Sequence, residues 1–138
     1  MHLIKPKKQQ SKKQILFLSP VQAGFPNPAD GDIESMLDLN EYLIEHPAAT
    51  YFVKVKGNSM QDVHIYDGDI LIVDRSLEPR HDAIVVASID GDFTVKRLYK
   101  KDGKVKLIPA NKDFSDITPK EYEDFQIWGV VKHVIHSY

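Results

Sequence analysis

From Thr50 onward the chain is written in short apolar runs broken by turn-forming pairs, and that rhythm leaves few folds open. "TYFVKVKG" alternates apolar and polar residues as a half-buried strand does, and "DILIVD" is a continuous run of the kind buried on both faces. "DAIVVASI", "DFTVKRLYK" and "KVKLIPA" follow, joined by Asp90-Gly91 and Asp102-Gly103. Asp-Gly pairs suit tight hairpin turns, whose central residues need positive φ. A last strand is expected in "FQIWGVVKHVI". Short strands with turns between them and little helix predict a mainly β fold, a compact antiparallel domain.

One helix is expected ahead of the strands, in "DLNEYLIEHP". Asp38 stands as its cap, Glu41 reaches back as in a capping box, and Pro47 stops it. Leu39, Leu43 and Ile44 share a face, which reads as core packing. Residues 1–32 look different: a lysine- and glutamine-rich start, the apolar "ILFLS", then "PVQAGFPNPADGD" with three prolines and two glycines. Proline fixes φ and removes donors, so residues 1–32 are expected to be an extended, flexible arm and 33–138 the β domain.

Charge divides at the same place. Residues 1–23 hold five lysines (Lys5, Lys7, Lys8, Lys12, Lys13) and no acid; with a net charge of −2 overall, the remainder carries −7. Direct binding of a phosphate backbone by that acidic body is disfavoured, because such binding rests on clustered cations. There is no cysteine, which removes disulfides, thiol catalysis and thiolate metal sites. No apolar run approaches the roughly 20 residues of a membrane span, and the start lacks the apolar core of a signal peptide, so a cytoplasmic protein is expected.

Ser59, in "VKVKGNSMQD", follows a strand-like run and a glycine. A serine in such a place is either part of a turn or a nucleophile, and it becomes a nucleophile only where a base takes its proton. His64 or His81, with Asp62, Asp67 or Asp82, offers a Ser-His-Asp arrangement that spacing neither supports nor excludes. Lys96 offers another base. Phe93, Val95 and Leu98 place apolar groups on both faces of its strand, and burial disfavours an ammonium and favours the neutral amine. A lysine in a hairpin strand is otherwise a snorkelling surface residue. Asp62 and the Asp67-Gly68-Asp69 segment read as turn geometry, Gly57 as backbone space beside the serine, and Met60 as core. His133 and His136 are assigned to opposite faces of a strand, which argues against a metal site.

"GNSMQDVHIYDGDILIVD", "DGDFTVKRL" and the upstream "AGFP" together resemble the self-cleaving LexA/UmuD family of SOS-response peptidases, and UmuD more than LexA. The resemblance spans about Val21 to His133, and the lysine-rich arm departs from it. It implies a serine–lysine dyad of Ser59 as nucleophile and Lys96 as general base. It also implies a scissile bond between Ala23 and Gly24, with the backbone at Asn58 and Ser59 as oxyanion donors. Only 22 residues precede Ala23, too few for the helix-turn-helix domain of a LexA-type repressor.

By the same resemblance, cleavage is stimulated by the RecA filament on single-stranded DNA. The protein is then a homodimer, and its trimmed form joins a UmuC-like catalytic subunit of the Y family in an error-prone translesion polymerase. No cofactor or metal is implied, and neither is sequence-specific DNA binding or a membrane. Three other readings use the same residues: a non-cleaving accessory module, a LexA-like repressor fragment, and a signal-peptidase-like enzyme, which would normally have a membrane anchor.

Overall fold

A computed structural model describes residues 3–4, 13–17, 23–24, 34–119 and 124–138, with only the backbone described at 3–4, 13–17 and 34–35. The prolines and the glycine of the 25–33 stretch, and Lys5, Lys7, Lys8 and Lys12, lie outside the described residues. The chain divides into two packing units, residues 8–45 and residues 1–7 with 46–138.

The larger unit is one antiparallel sheet. Its strands are β1 (Leu3–Ile4), β4 (Thr50–Lys54), β5 (Ile70–Asp74), β6 (Ile84–Ile89), β7 (Asp92–Lys101), β8 (Lys104–Ile108) and β9 (Phe125–Ile135), in the spatial order β1-β4-β5-β9-β6-β7-β8. The expected strands are present at nearly the expected places. Both Asp-Gly turns have the required geometry, with φ of 48° and 87° at Asp90 and Gly91, and 53° and 72° at Asp102 and Gly103.

Alternation along β6 and β7 sends successive side chains to opposite faces, and each face carries its own core. Val86 and Val95 join Val53, Leu71, Val73, Met60 and Ile65 on one side; Val85, Ala87, Leu98 and Leu107 gather on the other. A sheet apolar on both faces explains the continuous runs that the sequence shows here.

Strand β9 crosses the centre and bends there. Ile72 pairs with His133 but Val73 with Val131, and Val86 pairs with Gly129 but Ala87 with Ile127, so Lys132 and Trp128 are extra residues at two bulges. Trp128 is clamped by its surroundings, with Arg75 stacked 4.7 Å from its ring centroid and Tyr51 and Phe93 edge-on at 5.2 and 5.8 Å. Gly129 follows because a Cβ there would lie 2.6 Å from Val73 Cγ1, a contact no larger residue accommodates without movement.

The smaller unit, 8–45, pairs β2 (Lys13–Phe17) with β3 (Glu34–Asp38), Lys13 opposite Asp38 and Phe17 opposite Glu34. Regular pairing at 3–4 and 13–17 differs from the irregular chain expected before residue 33. "KQILF" is apolar enough to form a strand once β3 supplies its hydrogen bonds. The expected helix is a single turn, α1 (Leu39–Leu43). Asp38 caps it, accepting from the Asn40 amide at 3.0 Å, but α1 has no buried residue and Leu39 is exposed. The expected core-packing face is therefore absent: Ile44 is already extended, and five residues cannot carry a stripe that needs two turns.

Candidate active site

The serine sits on a turn held from two sides. β4 runs out through Val55, and Gly57 takes φ +92°, a conformation that side chains rarely adopt. The space around its missing Cβ is open, so backbone angle, not the room expected from the sequence, is what calls for glycine. The Gly57 amide donates to Asp67 Oδ1 at 2.7 Å, and the Asp67 amide donates back to Asn58 Oδ1 at 3.3 Å. Val55 and the Asp67-Gly68-Asp69 turn add two backbone bonds, Val55 N to Asp69 O at 2.8 Å and Gly68 N to Val55 O at 2.9 Å. Those aspartates therefore latch the serine turn to the start of β5.

Asp69 is buried and is held twice over. Its Oδ2 accepts from the Tyr66 amide at 2.9 Å, and its Oδ1 meets His136 Nδ1 at 2.5 Å. His136 thus lies past the end of β9 instead of on a strand face, which corrects the placement inferred from spacing.

On the other side, Met60 is buried as expected, with Sδ accepting from the Ala110 amide at 3.3 Å. The Asp62 amide donates to Ala110 O at 2.8 Å, and Asn111 Nδ2 to Asn58 O at 2.8 Å. After this double clamp Ser59 is half-buried, beside a recess lined by Val55, Lys56, Phe93, Thr94 and Val95.

Lys96 reaches the same place from the middle of β7, where it pairs with Val85. Its residue is only 7% exposed, so the structure sets aside the snorkelling alternative. Nζ lies 2.9 Å from Ser59 Oγ, 2.9 Å from Thr94 Oγ1 and 3.0 Å from Val95 O. All three partners are neutral. With no carboxylate of the described residues paired to it, burial lowers the Lys96 pKa from its ordinary value of 10.5.

The three contacts limit how a neutral amine would be arranged. Such an amine has two N–H groups and one lone pair. Val95 O can only accept, so it takes one N–H; the Thr94 and Ser59 hydroxyls can each accept the other or donate to the lone pair, and with Thr94 accepting, the lone pair faces the Ser59 hydroxyl. Thr94 was legible as the residue two before the lysine, on the same strand face, yet spacing alone gave it no role.

The histidine alternatives are not assembled. His81 Nδ1 accepts from the Lys100 amide at 3.0 Å, and the exposed His64 occupies a left-handed turn with φ 64°. The partner of the Ser59 hydroxyl is Lys96. Among the expected oxyanion donors, the amides of Asn58 and Ser59 donate to no backbone carbonyl of the described residues. Ala23 and Gly24 are exposed and form a bend in the connection between β2 and β3. No helix of the described residues is long and apolar enough to cross a membrane.

The model of the family described as Peptidase S24-like matches residues 16–132. The chain is 50% identical over 119 residues to protein MucA of Salmonella typhimurium, covering 85% of this chain and 80% of MucA. Protein ImpA of Shigella flexneri is 43% identical over 132 residues, 95% of this chain and 89% of ImpA. A LexA repressor from Idiomarina loihiensis is 39% identical over 121 residues, 87% of this chain and 58% of the repressor. The chain belongs to the Peptidase S24-like family, within its LexA/UmuD group.

Proposed function

We propose that this chain is a UmuD-like protein of the SOS response that cuts its own Ala23–Gly24 bond, with Ser59 as nucleophile and Lys96 as base. The observation that carries the reading is the 2.9 Å approach of a buried lysine nitrogen to a serine hydroxyl, the lysine's hydrogen-bond partners being neutral. Neutral Lys96 takes the hydroxyl proton as Ser59 Oγ attacks the carbonyl carbon of Ala23. The electron pair moves onto the carbonyl oxygen, where the amides of Asn58 and Ser59 supply hydrogen bonds. Collapse expels the Gly24 amine, which leaves with the proton held by Lys96. Lys96, neutral again, then takes a proton from water as the water attacks the Ala23 ester carbonyl, and returns that proton to Ser59 Oγ as the ester bond breaks and Ala23 leaves as a carboxylate.

Two features support Ala23–Gly24 as the substrate bond. Both residues are exposed in the β2–β3 connection, and glycine after the bond adds no Cβ to obstruct attack. A cut there also separates β1 from β4 along the chain. Once β1 leaves, β4 becomes a free edge of an acidic body, better matched to a protein strand than to a nucleic acid. That suits the remaining parts of the proposal: a homodimer, and a trimmed form that serves a UmuC-like Y-family polymerase subunit in the cytoplasm. The proposed activator, a RecA filament on single-stranded DNA, would act by binding the cleavable arrangement better than the resting one, without contributing a catalytic group. Functionally, residues 1–32 are the arm to be processed and 33–138 the peptidase and dimerisation domain.

Incubation of the purified chain at alkaline pH tests the reaction. A fragment starting at Gly24, read by mass spectrometry after denaturation, should accumulate faster with activated RecA filament. It should be absent from Ser59→Ala and Lys96→Ala. An intact parent chain under both conditions would favour the non-cleaving accessory module.

A further inference from the structure

The structure assigns Asn111, a residue outside the dyad, as the positioning residue that aims the Ser59 amide at the oxyanion; this rests on the proposed cleavage. The loop after β8 brings the Asn111 side chain, 7% exposed, against the serine turn, where Nδ2 donates to Asn58 O at 2.8 Å. Its orientation is set by its other end, since Oδ1 accepts from the Asp113 amide at 3.0 Å. A flipped side chain would put two donors face to face there and two acceptors at Asn58.

Asn58 C=O and Ser59 N–H belong to one planar peptide unit, in which the two groups point in opposite directions. Holding the carbonyl from one side therefore sets where the amide points on the other. The Gln61 amide reaches the same oxygen at 3.3 Å, so the carbonyl has two donors. Donors at a peptide oxygen also polarise its N–H, strengthening that amide for a developing negative charge. Loop and turn are tied together by the bonds of Ala110 to Met60 and Asp62, so Asn111 is held in register with Ser59.

Self-cleavage of the full chain, followed from neutral to alkaline pH, tests this with two variants. Asn111→Ala removes both hydrogen bonds. Asn111→Asp keeps the oxygen that accepts from the Asp113 amide and removes the donor to Asn58. Each should lower the alkaline plateau by about 100-fold, the scale of one oxyanion donor; the pH midpoint stays with the parent in Asn111→Ala, which adds no charge, while the new carboxylate of Asn111→Asp raises it if it moves it at all. Thermal melts of both variants confirm that the assay is run on folded protein. An Asn111→Asp plateau within about threefold of the parent would overturn the inference and leave Asn111 a loop-closing residue. So would a loss that arises only from a displaced midpoint. A parent that does not cleave contradicts the proposed function itself, whereas a cleaving parent with unimpaired Asn111 variants contradicts only the role of Asn111.

Discussion

Two buried ionisable groups in the same sheet have lowered pKa values for opposite reasons. Lys96 on β7 is lowered by burial among neutral partners, which drives it toward the uncharged amine. Asp74, at the end of β5, is different: burial alone would raise its pKa, but hydrogen bonds from Ser76 and His46 outweigh that and hold it lowered and charged. Ser76 offers both its amide, at 2.8 Å, and its hydroxyl, at 2.6 Å, to Asp74 Oδ1, while His46 Nδ1 meets Oδ2 at 2.6 Å. The carboxylate is fully partnered and acts as a clip tying the chain ahead of β4 to the sheet. The amine has no carboxylate partner among the described residues, and its burial shifts it toward the uncharged form that carries a lone pair. The same direction of shift therefore marks structure in one place and, under the proposed function, chemistry in the other.

Substitutions that alter the charge chemistry separate the two. The largest effect is expected from Lys96→Arg. Guanidinium stays protonated at every accessible pH, so self-cleavage should fall by about 10⁴-fold or more and gain nothing from alkaline conditions. Fragment formation by Lys96→Arg that still climbed with pH would remove the lysine from the mechanism.

Asp74→Asn comes next and should leave the pH midpoint of cleavage alone. It should cost about 1–3 kcal/mol of stability at neutral pH, a loss of several degrees in Tm. The sign follows from a depressed carboxyl pKa: the contribution is present above the ordinary value of 3.8 and disappears as pH falls below it. Melting curves of parent and variant should accordingly converge in acid. A displaced cleavage midpoint would join the two sites that are separated here.

The smallest effect is the one on stability that Lys96→Met, itself unable to cleave, reveals as a slope. A lowered lysine pKa means that the unfolded chain binds more protons than the folded one between the folded value and 10.5. Over that window the parent should gain on the methionine variant as pH rises, by no more than about 1.4 kcal/mol per pH unit. Parallel melting temperatures across the window would mean that folding leaves Lys96 unperturbed.

Much of this was legible in the sequence, because strands and turns are local signals. Alternating and continuous apolar runs located the sheet, and the Asp-Gly pairs located two hairpins with their φ signs. The apolar neighbours of Lys96 allowed its burial, but only the fold distinguishes a lysine that bends inward from one that reaches solvent. Asn111 and His136 were opaque for another reason. Each acts on a residue brought near by folding, Asn111 on Asn58 and His136 on Asp69, and no periodicity records such a pairing. The helix was over-read from its cap: Asp38 does start it, but a good start sets no length.

The most direct test is to follow the Lys96 side-chain amine itself by NMR, in protein labelled at lysine, across the pH range in which self-cleavage is timed; Ser59→Ala would keep the chain intact during the titration. The account predicts a midpoint clearly below 10.5, close to the midpoint of the parent's cleavage profile. A Lys96 amine that titrates like a surface lysine, while the parent still cleaves at lower pH, would contradict it.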